Sequence, residues 1–297
     1  MPDLTFREEL PRLGFGCGGY WGFPRFPESE ASALVQRAVE LGVRFLDTGP
    51  SYSHGEAETR LGRILKNGGL AVEPLVATKV GSEWTRGRIQ RDLSHRAIER
   101  SADASRRALG RDTLDLIQLH TRHPDELTNE ALDALVSLKQ RGVTRFIGVS
   151  GNDAVAARAL SLDPLDCIMV TYNVLHRSSI GILTDAKANG LAVIVKSPLA
   201  HAVYTPGFFR STSFKQLWYI ARVIKNHHRD LPRVRRLRRL NQLSEWTPTQ
   251  AALRFVLEND AVSSAVIGTT SVCHLEDAVA AESRPMDPEF AELLSTL

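Results

Sequence analysis

Cysteine is scarce. Cys17, Cys167 and Cys273 are the only three in 297 residues, and they lie far apart. An odd number without CxxC spacing excludes a disulfide framework and offers no zinc site. Long apolar runs are also missing, since none reaches the roughly 18 residues of a membrane-crossing helix. The opening Met-Pro-Asp-Leu-Thr-Phe-Arg-Glu-Glu lacks the apolar core of a signal peptide. These absences point to a cytoplasmic protein without a membrane partner. Net charge is small: 37 Lys+Arg against 34 Asp+Glu leave +3, too little to argue for a nucleic-acid partner. The GxGxxG fingerprint is absent as well. Gly14-Phe-Gly-Cys-Gly-Gly-Tyr20 has glycines at the wrong spacing, and the long loop to Pro27 opens no helix directly.

What is present is a core, with 43% apolar residues, and a rhythm. Short β-branched runs alternate with amphipathic stretches. The strand candidates are Leu13–Cys17, Val43–Leu46, Leu75–Lys79, Leu114–His120, Arg145–Val149, Cys167–Val170, Leu191–Val195 and Ser264–Ile267. Helical patterns separate most of them, for example Pro27–Leu41, with Glu28 and Glu30 in its first turn, and Leu127–Gln140. Parallel neighbours need helical crossovers. Eight such units in under 300 residues favour one closed (β/α)8 TIM barrel spanning 1–297 over an open doubly wound sheet.

One segment breaks the rhythm. Some fifty residues, Ser197 to Trp246, follow the seventh strand, long enough to predict a loop with helical structure of its own. Its second half carries Arg229, Arg233, Arg235, Arg236, Arg238 and Arg239. They read as a solvated basic face or as an anion-binding flap over a phosphate-bearing ligand.

In barrel enzymes, active sites lie at the C-terminal ends of the strands. Those ends carry Asp47, Lys79, His120, Ser150, Tyr172-Asn173, Lys196-Ser197 and Gly268 to Ser271, with Tyr52 on the loop after strand two. Singly, each has a structural alternative: Asp47 as a turn cap, Lys79 reaching to solvent, His120 as a satisfied interior histidine. Together they make a convergent polar cluster whose members must pair. A free phenol has a pKa of about 10 and is a poor acid near neutrality. An adjacent Lys79 ammonium would favour the phenolate, and Asp47 would orient the lysine. His120 would donate to a substrate oxygen. Nothing resembles an activated Ser or Cys nucleophile or a metal site. The set suits protonating a carbonyl oxygen while a cofactor delivers hydride.

Asp47, Tyr52, Lys79 and His120 also match, in order and context, the catalytic tetrad of the aldo-keto reductases, which the chain resembles over nearly its whole length. The contexts are Gly42-Val-Arg-Phe-Leu-Asp-Thr48, Tyr52-Ser-His-Gly-Glu-Ala-Glu-Thr-Arg-Leu-Gly62, Ala77-Thr-Lys79 and Asp115-Leu-Ile-Gln-Leu-His120. The resemblance implies an NAD(P)H-dependent oxidoreductase acting on CH–OH and carbonyl groups. It further implies Tyr52 as proton donor, NADP(H) ahead of NAD(H), and a small-molecule carbonyl or alcohol as partner. By position it assigns the cofactor to Cys17, Gly18, Asp47, Ser150, Gly151, Met169, Lys196, Ser197, Pro198, Leu199 and Ala200. The adenosine end falls to Gly268, Thr269, Thr270, Ser271, His274 and Asp277. Tyr20, Trp21, Trp84 and His123 are expected to line the substrate mouth, with Tyr204 closing over it.

The chain departs from the family at several of these places. Gly151 stands where an asparagine is usual, Met169 where a glutamine is, and Lys196 where an often aromatic residue stacks on the nicotinamide. No lysine or arginine appears in 268–274 to grip a 2′-phosphate, a contact the arginines of 229–239 are expected to supply in part. An alternative reading is an NADP(H)-binding sensor with little turnover; a Schiff-base aldolase would not need Tyr52. The substrate, the physiological direction and the oligomeric state are not written in the sequence.

Overall fold

The computed structural model describes residues 5–205 except 68, residues 246–286 and 290–293, and isolated positions between 208 and 240. The strands are β1 (Leu13–Gly16), β2 (Phe45–Asp47), β3 (Leu75–Val80), β4 (Ser82–Thr85), β5 (Arg88–Arg91), β6 (Leu114–His120), β7 (Thr144–Ser150), β8 (Cys167–Thr171), β9 (Ala192–Lys196) and β10 (Ser264–Ile267). All except β4 and β5 pair in parallel and close on themselves in the order β1-β2-β3-β6-β7-β8-β9-β10. The (β/α)8 barrel expected from the alternation is the observed architecture.

Outside the strands lie α1 (Phe6–Glu9), α2 (Glu28–Glu40), α3 (Glu56–Asn67), α4 (His95–Leu109), α5 (Asn129–Gln140), α6 (Asp153–Ala159), α7 (Ile180–Ala188), α8 (Pro248–Leu257) and α9 (Val272–Ser283). Their ends follow local chemistry. Ahead of α8, Thr247 and Gln250 form a reciprocal capping box, with Pro248 in the first turn. The α4 helix stops at Gly110, whose φ of +66° costs a glycine little. Apolar faces such as Leu34, Val35 and Ala38 of α2, or Ile98 and Ala102 of α4, bury against the outside of the barrel.

Alternation along the strands sends every second side chain inward. The lower interior is apolar, built from Phe45, Ala77, Leu116, Cys167, Met169, Ala192, Ile194 and Val266. Helix α1 closes its floor: Phe6 and Leu10 join that cluster, and the Phe6 ring lies 4.6 Å from Phe146. Two positions further along β2, β3 and β9 the same inward face reaches Asp47, Lys79 and Lys196; on β6 it passes Gln118 before reaching His120, four positions beyond Leu116, and Ser150 ends β7 in register with His120. The polar rim is therefore a consequence of period two.

Two elements were not expected. One is the floor helix α1. The other is the β4–β5 hairpin between strand three and α4, which pairs Ser82 with Arg91 and Thr85 with Arg88. Arg86 and Gly87 turn it with φ of 53° and 76°, the left-handed pair that matches hairpin twist. Most of the expected insertion after the seventh barrel strand lies outside the described residues, as do all six arginines of 229–239.

Candidate active site

The centre of the rim is the Lys79 ammonium. It donates to Asp47 Oδ1 at 2.6 Å and to the Thr48 carbonyl at 2.8 Å, and lies 4.7 Å from the centroid of the Tyr52 ring. Both members of the ion pair are buried, with side chains 1% and 6% exposed. Burial works against the ammonium, but the charges of Asp47 and Tyr52 and hydrogen bonds to both outweigh it and hold Lys79 above its ordinary value. Burial lifts the Asp47 carboxyl, and the lysine pulls it part of the way back.

Tyr52 begins a 3-10 turn, Tyr52–Gly55, in which Ser53 and His54 are left-handed at φ 52° and 62°. Such backbone costs on the order of 1 kcal/mol or more per residue and persists only where the surroundings impose it. Here Ser53 Oγ donates to the Gly19 carbonyl at 2.7 Å. The phenol rests against the backbone of Gly18, where a Cβ would come within 2.7 Å of Tyr52 Cδ2. Gly18 is thus a close-approach glycine, and any side chain there would push the tyrosine out of line.

His120 faces Tyr52 edge-on, with ring centroids 6.4 Å apart and planes at 87°. Burial, followed by the charges of Lys79, Lys196, Arg91 and Arg122, holds its pKa down at about 3, so it is neutral at physiological pH. Its Nδ1 sits 2.7 Å from Ser82 Oγ, which in turn lies 3.4 Å from Ser51 Oγ. Arg91 donates to the His120 carbonyl at 3.1 Å and to Glu126 at 2.7 Å. Ser82 and Arg91 both belong to the unexpected hairpin. Its legible signal was a short one, Thr85-Arg-Gly-Arg88, a two-residue glycine turn between extended residues.

The other half of the rim is more open. Lys196 donates to the Gly151 carbonyl at 2.7 Å and lies 3.4 Å from Ser150 Oγ. Burial, then repulsion from Lys79, lowers its pKa to about 8. Beyond it the chain turns through Ser197, Ala200, His201 and Ala202, all with φ between 45° and 59°. Asn173 Nδ2 donates to the Ser197 carbonyl at 2.9 Å, and this turn borders a cavity of about 400 Å³ also lined by Asn152, Asp153 and Thr171. At Gly268 a Cβ would meet nothing within 4 Å, so the chain lies beside open space. Helix α9 then starts at Ser271 with no side-chain cap and no acidic residue in its first turn, a helix end suited to an anion.

Several expected residues stand elsewhere. Trp21 does not line the mouth: it is 1% exposed, and its indole donates to the Ala31 carbonyl while its own carbonyl accepts from Arg60. The ring turns inward instead, edge-on to Phe15 with centroids 6.3 Å apart. Tyr204 is likewise buried rather than poised over the mouth, and burial pushes its phenol far up. Asp277 is taken up by Thr247, Thr249 and Gln250 of the α8 start, and Cys17 and Met169 are interior side chains. Trp84 stacks on His54 at 4.2 Å, Tyr20 packs edge-on against Phe23 and Phe26, and His123 is exposed after β6.

The chain is similar to known proteins over most of its length. The model of the Aldo/keto reductase family matches residues 12–297. An aldo-keto reductase from Schizosaccharomyces pombe, yakc [NADP(+)], is 26% identical, covering 91% of this chain and 83% of its own. L-galactose dehydrogenase from Arabidopsis thaliana is 30% identical, covering 95% and 88%. Among solved structures, the holo form of the aldo-keto reductase AKR11C1 from Bacillus halodurans superposes with a TM-score of 0.79 at 26% identity, covering 97% of this chain and 92% of that one.

Proposed function

The chain belongs to the aldo/keto reductase family, and from that premise we propose that it reduces an aldehyde or ketone with NADP(H), Tyr52 giving the proton to the carbonyl oxygen. The observation that carries this reading is the buried Lys79 ammonium, bound to Asp47 on one side and set against the Tyr52 ring on the other, with neutral His120 across the gap.

Each residue then has a task. Tyr52 transfers its proton as negative charge develops on the substrate oxygen, and the Lys79 ammonium stabilises the phenolate left behind. Asp47 keeps that ammonium charged and aimed. A Ser82 hydroxyl donating to Nδ1 of His120 leaves the imidazole proton on Nε2, the tautomer able to donate to a carbonyl oxygen. In the opposite direction Tyr52 receives the proton of an alcohol.

The residues across the rim fit a pyridine nucleotide. The left-handed turn 197–202, the open backbone at Gly268 and the uncapped start of α9 suit phosphate oxygens, while Ser150 and Lys196 reach the rim's centre. When bound, the nucleotide supplies the hydride. The first turn of α9 holds no acidic group to oppose a phosphate there, and the named NADP(+) relative supports the phosphorylated form. The substrate is a small carbonyl compound or alcohol reaching Tyr52 and His120 from the side of Trp84 and Tyr20.

The test is NADPH consumption against a panel of aldehydes and ketones, repeated with NADH. Multiple turnover with at least one carbonyl, and a preference for NADPH, is the expected result. Tight nucleotide binding without turnover would instead favour the sensor reading.

A further inference from the structure

At the centre of the open half of the rim is a side chain the proposed proton transfer does not use. Lys196 ends β9, and the alternation that buries Ala192 and Ile194 inside the barrel sends it inward too. Its ammonium is fixed by the Gly151 carbonyl at 2.7 Å and lies 3.4 Å from Ser150 Oγ. The charges that face it are Lys79 on β3, Asp47 on β2 and Asp153 at the start of α6. Lys79 and Asp47 are paired with each other, and Asp153 is bound by His176, Ser178 and Ser179. His120 on β6, which feels the Lys196 charge, is neutral. Lys196 thus brings its positive charge to the centre of the rim, with Asp153 facing it but no carboxylate at ion-pair distance among the described residues.

A nicotinamide exchanging hydride with a carbonyl held by Tyr52 and His120 would lie against that carbonyl's carbon, and Lys196 contacts Ser150, the residue in register with His120 on the next strand, closely enough for His120 to feel its charge. The oxidised ring is a cationic pyridinium, whereas the reduced ring is neutral. A fixed ammonium close by penalises the first and leaves the second nearly untouched. We propose that Lys196 makes this site discriminate between the redox states of its nucleotide, holding NADPH more tightly than NADP+ through charge repulsion at the ring. The inference rests on the cofactor reading given above. Its consequence is that bound nucleotide is a weaker reductant than free nucleotide, which shifts the on-enzyme equilibrium toward alcohol oxidation. Because Lys196 titrates near 8, that bias fades in mild alkali.

The experiment is equilibrium titration of the apo-enzyme with NADPH, by its own fluorescence, and with NADP+, by displacement of NADPH, at pH 6.5 and pH 9.5. Wild type should show a Kd ratio of NADP+ to NADPH that drops on the order of tenfold from the lower to the higher pH, as expected for charges several ångströms apart in a partly screened site. Lys196→Met should give the low ratio at both pH values. Lys196→Arg, which stays charged, should keep the high ratio at both, and it serves as the deciding variant if the methionine protein folds poorly. Equal ratios in wild type and variants, with both nucleotides still binding, would overturn the inference and leave the cofactor reading standing. Failure of wild type to bind either nucleotide would overturn both.

Discussion

From β2 to β6, the rim's polar side chains hold one another. Lys79 has Asp47 and Thr48, His120 has Ser82, and Arg91 clamps Glu126 to the His120 carbonyl. Burial there is close to complete for the Asp47–Lys79 pair, and the fixed geometry suits transition-state charge that must not wait for reorganisation. From β7 to β10, the rim presents backbone instead: a run of left-handed residues, a glycine beside open space and an uncapped helix. The charge that projects to its centre, Lys196, hydrogen-bonds a carbonyl and a hydroxyl and faces the Asp153 carboxylate. The first arc is paired largely within itself, the buried Gln118 amide on β6 being an exception, whereas the second leaves more of its backbone open. The contrast teaches that substitution should be costly to folding on the first arc and costly to binding on the second.

The largest effect expected is from Lys79→Met. It leaves Asp47 buried without its partner, so stability should fall by about 3–5 kcal/mol and turnover should vanish. Urea unfolding with an activity assay checks this, and a fully stable variant would erase the distinction between the arcs. Ser82→Ala is milder. Losing one hydrogen bond to His120 should lower kcat about two- to tenfold, with rescue by Ser82→Thr.

Acid provides a third way in. His120 titrates at about 3 in the folded chain and at 6.5 ordinarily. Below pH 6.5 the unfolded chain therefore takes up a proton that the folded one refuses, and stability falls as pH drops toward 3. His120→Asn should flatten this slope in urea midpoints measured between pH 7 and pH 5. The smallest effect is on the second arc. With its pKa lowered from 10.5 to about 8, Lys196 disfavours folding at neutral pH, and Lys196→Met should raise the apo-protein's melting temperature slightly. The gain should shrink as pH rises through 8, where the folded lysine loses its proton.

The first arc was legible in the sequence for a physical reason. Asp47 and His120 end apolar strands and Lys79 stands one residue before the end of another, and period two turns each of them inward. The second arc was legible chiefly through resemblance, because backbone that binds anions has no side-chain signature: Ala200 and Ala202 give no hint that they are left-handed. Short elements escaped notice for another reason. Four-residue pieces such as α1 and β4 are below the length at which periodicity speaks, yet β4 supplies the partner of His120. Trp21 and Asp277 illustrate the limit of reading function from residue type. The partners that claim them, Arg60 and the Thr247–Gln250 cap, lie some 30 to 40 residues away in sequence.

Tyr52→Phe tests the central claim most directly, because it removes one oxygen from the paired arc and nothing from the other. Stopped-flow mixing of this variant with NADPH and the best carbonyl of the panel should show cofactor binding within a few-fold of wild type. Single-turnover reduction should be slowed by roughly 10²–10⁴. Reduction at the wild-type rate would contradict the assignment of Tyr52 as the acid, and loss of NADPH binding would contradict the division of the rim into two arcs.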